Sequence, residues 1–232
     1  VVLDPGGGER TRLGTGVLRR PVGLAIGADG RRVVVADTVL RAIVALPLDG
    51  GPAERLAPGL ELRRPVAITA LPGGRLAVAD AGRARIHVLD VAGEVVASFG
   101  DYGPFPGLFE EPHGLAWDGA RLVVADRGNH RLQMHAADGT LLGTWGVHAR
   151  RPREAGGVIH DPAALAFDPA GRYLALVEPF EDRVQLFARD PAPADAARPR
   201  MPMIPRDPHF GRRVAADGPL IVDLDRQLVS VS

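Results

Sequence analysis

Segments that open on Pro21, Pro65, Pro112 and Pro162 can be laid over one another, with spacings of 44, 47 and 50 residues. A period of this length means that the chain folds as a string of like units, each stable only when its neighbours cover its apolar face. The third unit shows the plan. Pro112-His113-Gly114-Leu115-Ala116 leads to a turn at Asp118-Gly119, then Leu122 to Ala125 closed by Asp126, a short loop, Arg131 to His135, a turn at Asp138-Gly139, and Leu141 to Trp145. The first unit repeats this through Gly23-Leu24-Ala25, Asp29-Gly30, Val33 to Asp37, Arg41 and Asp49-Gly50. The second does so through Gly73-Gly74, Ala77 to Asp80, Arg85 and Gly93, and the fourth through Leu165 to Phe167, Gly171, Leu174 to Val177, Arg183 and Phe187. A fifth and looser unit starts near Gly211, with Asp217-Gly218, Leu220 to Asp223 and Arg226.

Runs of Val, Leu and Ala separated by Asp-Gly or Gly-Gly favour antiparallel hairpins, because glycine supplies the positive φ that tight turns require. Four strands per period of this length predict the blades of a β-propeller, whose sheets are covered on both faces and so read as apolar runs. Residues 1–16 align with the end of a unit and predict a third and a fourth strand. Full blades are expected over 17–59, 60–100, 101–146 and 147–190, a proline-rich loop over 191–210 and a partial blade over 211–232. The strand count is that of a single all-β domain, a six-bladed propeller truncated at both ends; a closed five-bladed ring is the alternative and leaves one strand over.

Asp126-Arg127-Gly128-Asn129-His130-Arg131-Leu132 resembles the signature of NHL repeats, and Phe99-Gly100, Gly107-Leu108-Phe109 and Pro112-x-Gly-Leu-Ala resemble the glycine-rich entry of such repeats. The resemblance covers most of residues 17–232. It implies the propeller fold of a bacterial-type NHL repeat protein but no single activity, since one fold serves binders and enzymes alike.

Composition narrows the chemistry. Lys+Arg and Asp+Glu both number 28, so the formal net charge of zero supplies no field for nucleic acid or an anionic membrane. Every basic residue is Arg, cysteine is absent, and Ser98, Ser230 and Ser232 are the only serines. Schiff bases, thiol nucleophiles, thiolate metal sites and a phosphate-loop lysine are thereby excluded. Gly6-Gly7-Gly8 has no Lys-Ser/Thr after it and reads as a turn. No apolar run approaches the ~20 residues needed to span a bilayer, and no signal-peptide core stands at the start. With no cysteine to read, the compartment stays open.

Repetition separates architecture from sites. Asp37, Asp80, Asp126 and Asp223 end second strands, with Arg41, Arg85, Arg131 and Arg226 following, and Glu178 with Arg183 takes the same places in the fourth unit. A pair repeated in every unit is expected to be a structural staple. His87 and His135 are expected as buried histidines satisfied by the backbone, and His130 as a solvated turn residue. Alternating strand direction puts the loop after strand two and the connections between units at one end, where Asp101 to Glu111, Val147 to Asp161 and the segment 188–210 grow progressively longer. Long loops in a compact domain carry function, so the ligand end is expected there.

The candidate binding residues at that end are His113, Arg127, Arg150, Arg151, Arg153, Glu178 and Arg212. His113 departs from the repeat, where Val22, Val66 and Ala163 stand at the same place and Arg212 in the fifth unit. His113, His160 and Glu178 are candidates for a cation, calcium or zinc, although no cofactor is required. The leading expectation is a non-catalytic module that binds a protein, peptide or glycan, with further domains of a longer chain as other partners. A metal-assisted lyase or hydrolase is the alternative. The resemblance extends to peptidyl-hydroxyglycine amidating lyases, whose zinc is held by several axial histidines, and only His113 matches such a position. RNA binding through Arg150, Arg151 and Arg153 is a further alternative, disfavoured by neutral charge and the lack of interleaved aromatics.

Overall fold

The computed structural model describes residues 1–148, 158–188, 212–213, 220–223 and 228–231. Two compact units divide the chain, Val1–Asp101 and Tyr102–Ser232. In the first, β1 (Val2–Leu3) and β2 (Glu9–Thr11) form an antiparallel pair. They precede two four-stranded sheets: β3 (Pro21–Ile26), β4 (Arg32–Asp37), β5 (Ala42–Pro47) and β6 (Glu54–Leu56), then β7 (Pro65–Ala70), β8 (Leu76–Asp80), β9 (Arg85–Leu89) and β10 (Val95–Phe99).

The second unit holds a third sheet of β11 (Pro112–Trp117), β12 (Leu122–Asp126), β13 (Arg131–His135) and β14 (Leu141–Trp145). A short parallel pair follows, β15 (Val147–His148) with β16 (Val158–Ile159), which the sequence reading took as plain connection. The fourth sheet is β17 (Ala164–Phe167), β18 (Tyr173–Glu178), β19 (Arg183–Ala188) and β20 (Arg212–Arg213), and a hairpin of β21 (Leu220–Asp223) and β22 (Leu228–Val231) comes last. In each of the four sheets the strands lie side by side in chain order and antiparallel, the construction of a propeller blade.

One strand falls elsewhere than expected. Ala188 pairs with Arg212 and Phe187 with Arg213, so Arg212 lies on the outer edge of the fourth sheet, whereas the sequence reading opened a further unit at Gly211. The proline-rich segment therefore joins strands three and four of one sheet, and the backbone ladder, which needs a partner at the edge of β19, takes it from beyond that segment.

Apolar burial holds the sheets of each unit together. Between the first two sheets, Val34, Ala36, Ile43, Ile68, Val78 and Leu89 are buried in one cluster; between the third and fourth, Val123, Leu132, Met134, Leu174 and Phe187 form another. Trp145 meets Phe187 edge-on with centroids 4.5 Å apart, a geometry worth about 0.5–1.5 kcal/mol beyond its area. The Pro-x-Gly openings have a packing reason. A Cβ on Gly114 would sit 2.9 Å from the carbonyl oxygen of Ala163, and one on Gly23 2.9 Å from Ala67 Cα, so first strands of adjacent sheets approach too closely for a side chain.

His135 is buried in the third sheet, its Nδ1 3.1 Å from the carbonyl oxygen of Gly139 and its ring 5.6 Å from that of Phe109. Burial lowers its pKa from 6.5 to about 4. The unfolded chain takes up this proton near pH 6.5 and the folded one only near 4, so the stability tied to the neutral ring is complete above 6.5 and is lost as the pH falls through that window. His135→Gln is expected to flatten the acid limb of a urea-unfolding stability profile between pH 6.5 and 4; a limb unchanged in slope would refute the burial argument.

Candidate functional site

Each sheet ends its second strand on a fully buried carboxylate: Asp37, Asp80, Asp126 and Glu178. What these groups accept explains the entry connections. Asp37 takes the backbone N–H groups of Arg19 and Arg20 at 2.7 and 2.9 Å, together with Val39 and Leu40. Asp80 takes those of Arg63 and Arg64, both at 2.8 Å, and of Gly82. Asp126 takes Glu110 N–H at 2.7 Å and Glu178 takes His160 N–H at 2.7 Å. The carboxylate thus fastens the chain that enters each sheet to the loop after that sheet's second strand, and the two lie at one end. For Asp37, burial alone would raise the pKa, but four backbone donors outweigh it and the net shift is downward. For Asp126 burial prevails over its donors and the shift is upward.

The arginine half of the expected staple holds in the second unit only. Arg131 donates to Asp126 at 2.8 Å and Arg183 to Glu178 at 2.9 Å. Opposite Asp37 the register places Ala42, not Arg41. Arg41 is exposed with φ 51°, in the left-handed position shared by Ala84, His130 and Asp182. Arg85 does face Asp80 in register, yet its guanidinium turns to Asp101 at 3.5 Å. Asp223 is placed by its backbone alone, and Arg226 lies outside the described residues. Two glutamines complete what sequence reasoning missed: Gln133 donates to Asp126 at 2.9 Å and Gln185 to Glu178 at 2.5 Å. Their shared place two residues after Arg131 and Arg183 was a readable signal. His87 stands at the corresponding place in the second sheet and pairs through Nδ1 with Ser98 Oγ at 2.8 Å, a side chain instead of the expected backbone partner.

In the second unit these anchors gather a cluster. Arg127 grips Asp161 with two parallel hydrogen bonds of 2.8 and 2.7 Å, tying the β12–β13 loop to the chain entering the fourth sheet. The hydrogen bond from Arg127 lowers the Asp161 pKa against the pull of burial, and the same bond raises that of Arg127. His130 is not the solvated turn residue expected. Its Nδ1 accepts the Asp161 N–H at 3.0 Å, so that nitrogen is unprotonated, and its ring lies flat on His160 with centroids 4.7 Å apart and planes within 1°. His160 in turn meets Phe180 edge-on at 5.0 Å, and its Nδ1 stands 2.7 Å from Glu181 Oε1.

The sequence candidates that are described hold separate partners. His113 sits at the bulge that follows Pro112, its Nδ1 3.2 Å from the carbonyl oxygen of Ala163 in the neighbouring sheet. Glu178 is wholly occupied by His160 N–H, Arg183 and Gln185. Arg150, Arg151 and Arg153 lie outside the described residues, and of Arg212 only the backbone is described. His113, His160 and Glu178 are not gathered as a ligand set: among the described residues no three His, Asp or Glu side chains are grouped to hold a metal ion. Nor, among those residues, is any helix long and apolar enough to cross a membrane.

No protein-family model matches the sequence, and no curated protein does. Solved structures do resemble it. A chain of a nidogen/laminin complex matches with a TM-score of 0.60 and 22% identity over 78% of this chain and 64% of that one. A streptogramin B lyase gives 0.55 and 16% over 72% and 51%, and a catalytically inactive virginiamycin B lyase from Staphylococcus aureus with quinupristin gives 0.53 and 15% over 75% and 57%. The fold is an all-β propeller of four-stranded antiparallel blades. This chain spans less than two thirds of each of those chains, and its propeller neighbours include both a protein complex and lyases.

The carboxylate staple is testable. Asp126→Ala strands Arg131, Asn129 and Gln133 inside the unit and is expected to cost about 3–5 kcal/mol in urea unfolding. Arg127→Ala breaks only a partly exposed pair and is expected to cost about 1 kcal/mol or less. Equal losses would contradict the assignment of Asp126 as the buried anchor.

Proposed function

We propose that this chain is an NHL-type propeller acting as a non-catalytic interaction module, which binds a protein, peptide or glycan at the end of the sheets carrying the entry connections and the loops after second strands. One observation carries the reading. The carboxylates that end the second strands are buried there as staples, whereas Tyr102, Phe105 and Phe180 are left 71%, 70% and 65% exposed. Aromatic residues displayed on an ordered scaffold are what interfaces enrich, whereas a reaction centre needs convergent acid, base or metal groups. The nidogen/laminin neighbour, itself a propeller in a protein complex, accords with this reading.

Affinity capture and glycan and peptide arrays with the whole chain test it. Specific binding is expected to fall about tenfold in Phe180→Ser or Arg127→Ala and to be untouched by Asp138→Ala in the β13–β14 turn at the opposite end. Binding that follows Asp138 instead, or no specific binding, would overturn the proposal. Stoichiometric zinc or calcium in the purified protein would favour the metal-assisted lyase reading, in which His113 is the first residue to change.

A further inference from the structure

Asparagine, arginine and glutamine side chains hold the loop 102–109 by its backbone. Asn129 Nδ2 donates to the Gly103 carbonyl at 3.0 Å, and Arg131 reaches the carbonyls of Pro104, Phe105 and Leu108 at 2.8, 2.9 and 3.0 Å. Gln133 donates to the Leu108 carbonyl at 2.6 Å and accepts from Gly107 N–H at 2.8 Å. Phe109, fully buried, nails the end of the loop into the unit. A loop so tied has little entropy left to lose, yet its two aromatic side chains, Tyr102 and Phe105, are among the most exposed large apolar groups, with the Tyr102 hydroxyl donating to Glu110 Oε1 at 3.4 Å.

Contacts link this loop to its neighbours at the same end. Asn129 joins the loop at Gly103 to the β12–β13 loop, the stack of His130 on His160 leads to the entry of the fourth sheet, and the edge contact of His160 leads to Phe180. Among the described residues the charge of this belt is one-sided. Apart from the buried pairs Asp126–Arg131 and Glu178–Arg183, the described residues of this belt hold Glu110, Glu111, Asp161, Glu181 and Asp182 against the single guanidinium of Arg127, which Asp161 already neutralises.

We infer that the Tyr102–Phe105 loop is the anchor of a docking surface for a partner protein's arginine- or lysine-bearing segment. The cation lies over Tyr102 or Phe105, where the ring face attracts it, and the surrounding carboxylates, Glu110 and Glu111 nearest in the chain, complete its charge partners. This rests on the interaction-module reading and deepens it by naming the partner's chemistry. It differs from the RNA-binding alternative at Arg150, Arg151 and Arg153, which lie outside the described residues.

Fluorescence anisotropy with the whole chain and an array of short peptides matched in length, carrying either arginine and lysine, glutamate and aspartate, or neutral residues, decides the matter. Basic peptides are expected to bind, to weaken as salt rises, and to lose about tenfold in affinity in Phe105→Ala and in Glu110→Gln. Phe105 is exposed, so its loss leaves the fold intact, and an unchanged urea midpoint verifies this. Preferential binding of acidic peptides, or basic-peptide binding indifferent to Phe105 and Glu110, overturns the inference. If the arrays above yield a glycan or neutral-peptide ligand and basic peptides fail, the inference falls while the interaction-module reading stands. If nothing binds in either experiment, both fall.

Discussion

A carboxylate withdrawn from solvent at the end of each second strand is the interaction on which the rest of this protein depends. In the two units it does the same work four times, collecting main-chain N–H groups from the segment that enters a sheet. Burying a charge is costly unless its lone pairs are filled; backbone N–H groups fill them at Asp37 and Asp80, and at Asp126 and Glu178 one backbone N–H is joined by arginine and glutamine side chains. The entry segments thereby acquire a fixed path. Burial raises the pKa and the donors lower it; the donors prevail at Asp37 and burial at Asp126.

From that anchor the second unit builds a surface. Because Asp126 occupies Arg131 through Nε, the remaining guanidinium nitrogens are aimed at the carbonyls of the loop 102–109. Gln133 shares both the carboxylate and the loop. One buried charge therefore sets, through Asn129, Arg131 and Gln133, the backbone of a loop that displays aromatic rings to solvent. The same logic in the fourth sheet fixes Arg183, Gln185 and the chain near Val158, which brings His160 under His130. Preorganisation of this kind is how a repeat scaffold turns structural staples into a recognition surface without new chemistry.

Much of the construction was legible in the order of residues. The period, the turn glycines and the apolar runs specify four-stranded sheets with nearly correct limits, because hairpin formation is local and its turn chemistry is written in adjacent residues. Positions for Asp80, Asp126 and Glu178 opposite Arg85, Arg131 and Arg183 follow from counting along a two-strand register. That count misled at Arg41, where the loop between strands is of the same length but the arginine sits one residue early, in the left-handed position, leaving Ala42 in the ladder.

Other features required distant chain to meet. The Arg127–Asp161 grip, the His130–His160 stack and the completion of the fourth sheet by Arg212–Arg213 join residues more than twenty positions apart, with no pattern that marks them as partners. Exposure is decided there too: Phe109 and Phe105 are four residues apart in one loop, and only packing makes the first a core residue and the second a displayed one. The sequence by itself determined the kind of sheet, its repetition and the residues available to staple it, since these depend on contacts between near neighbours. Tertiary structure alone decided which polar groups were consumed in holding the loops and which side chains remained to meet a partner, because burial is a property of what lies across from a residue and not of what lies beside it.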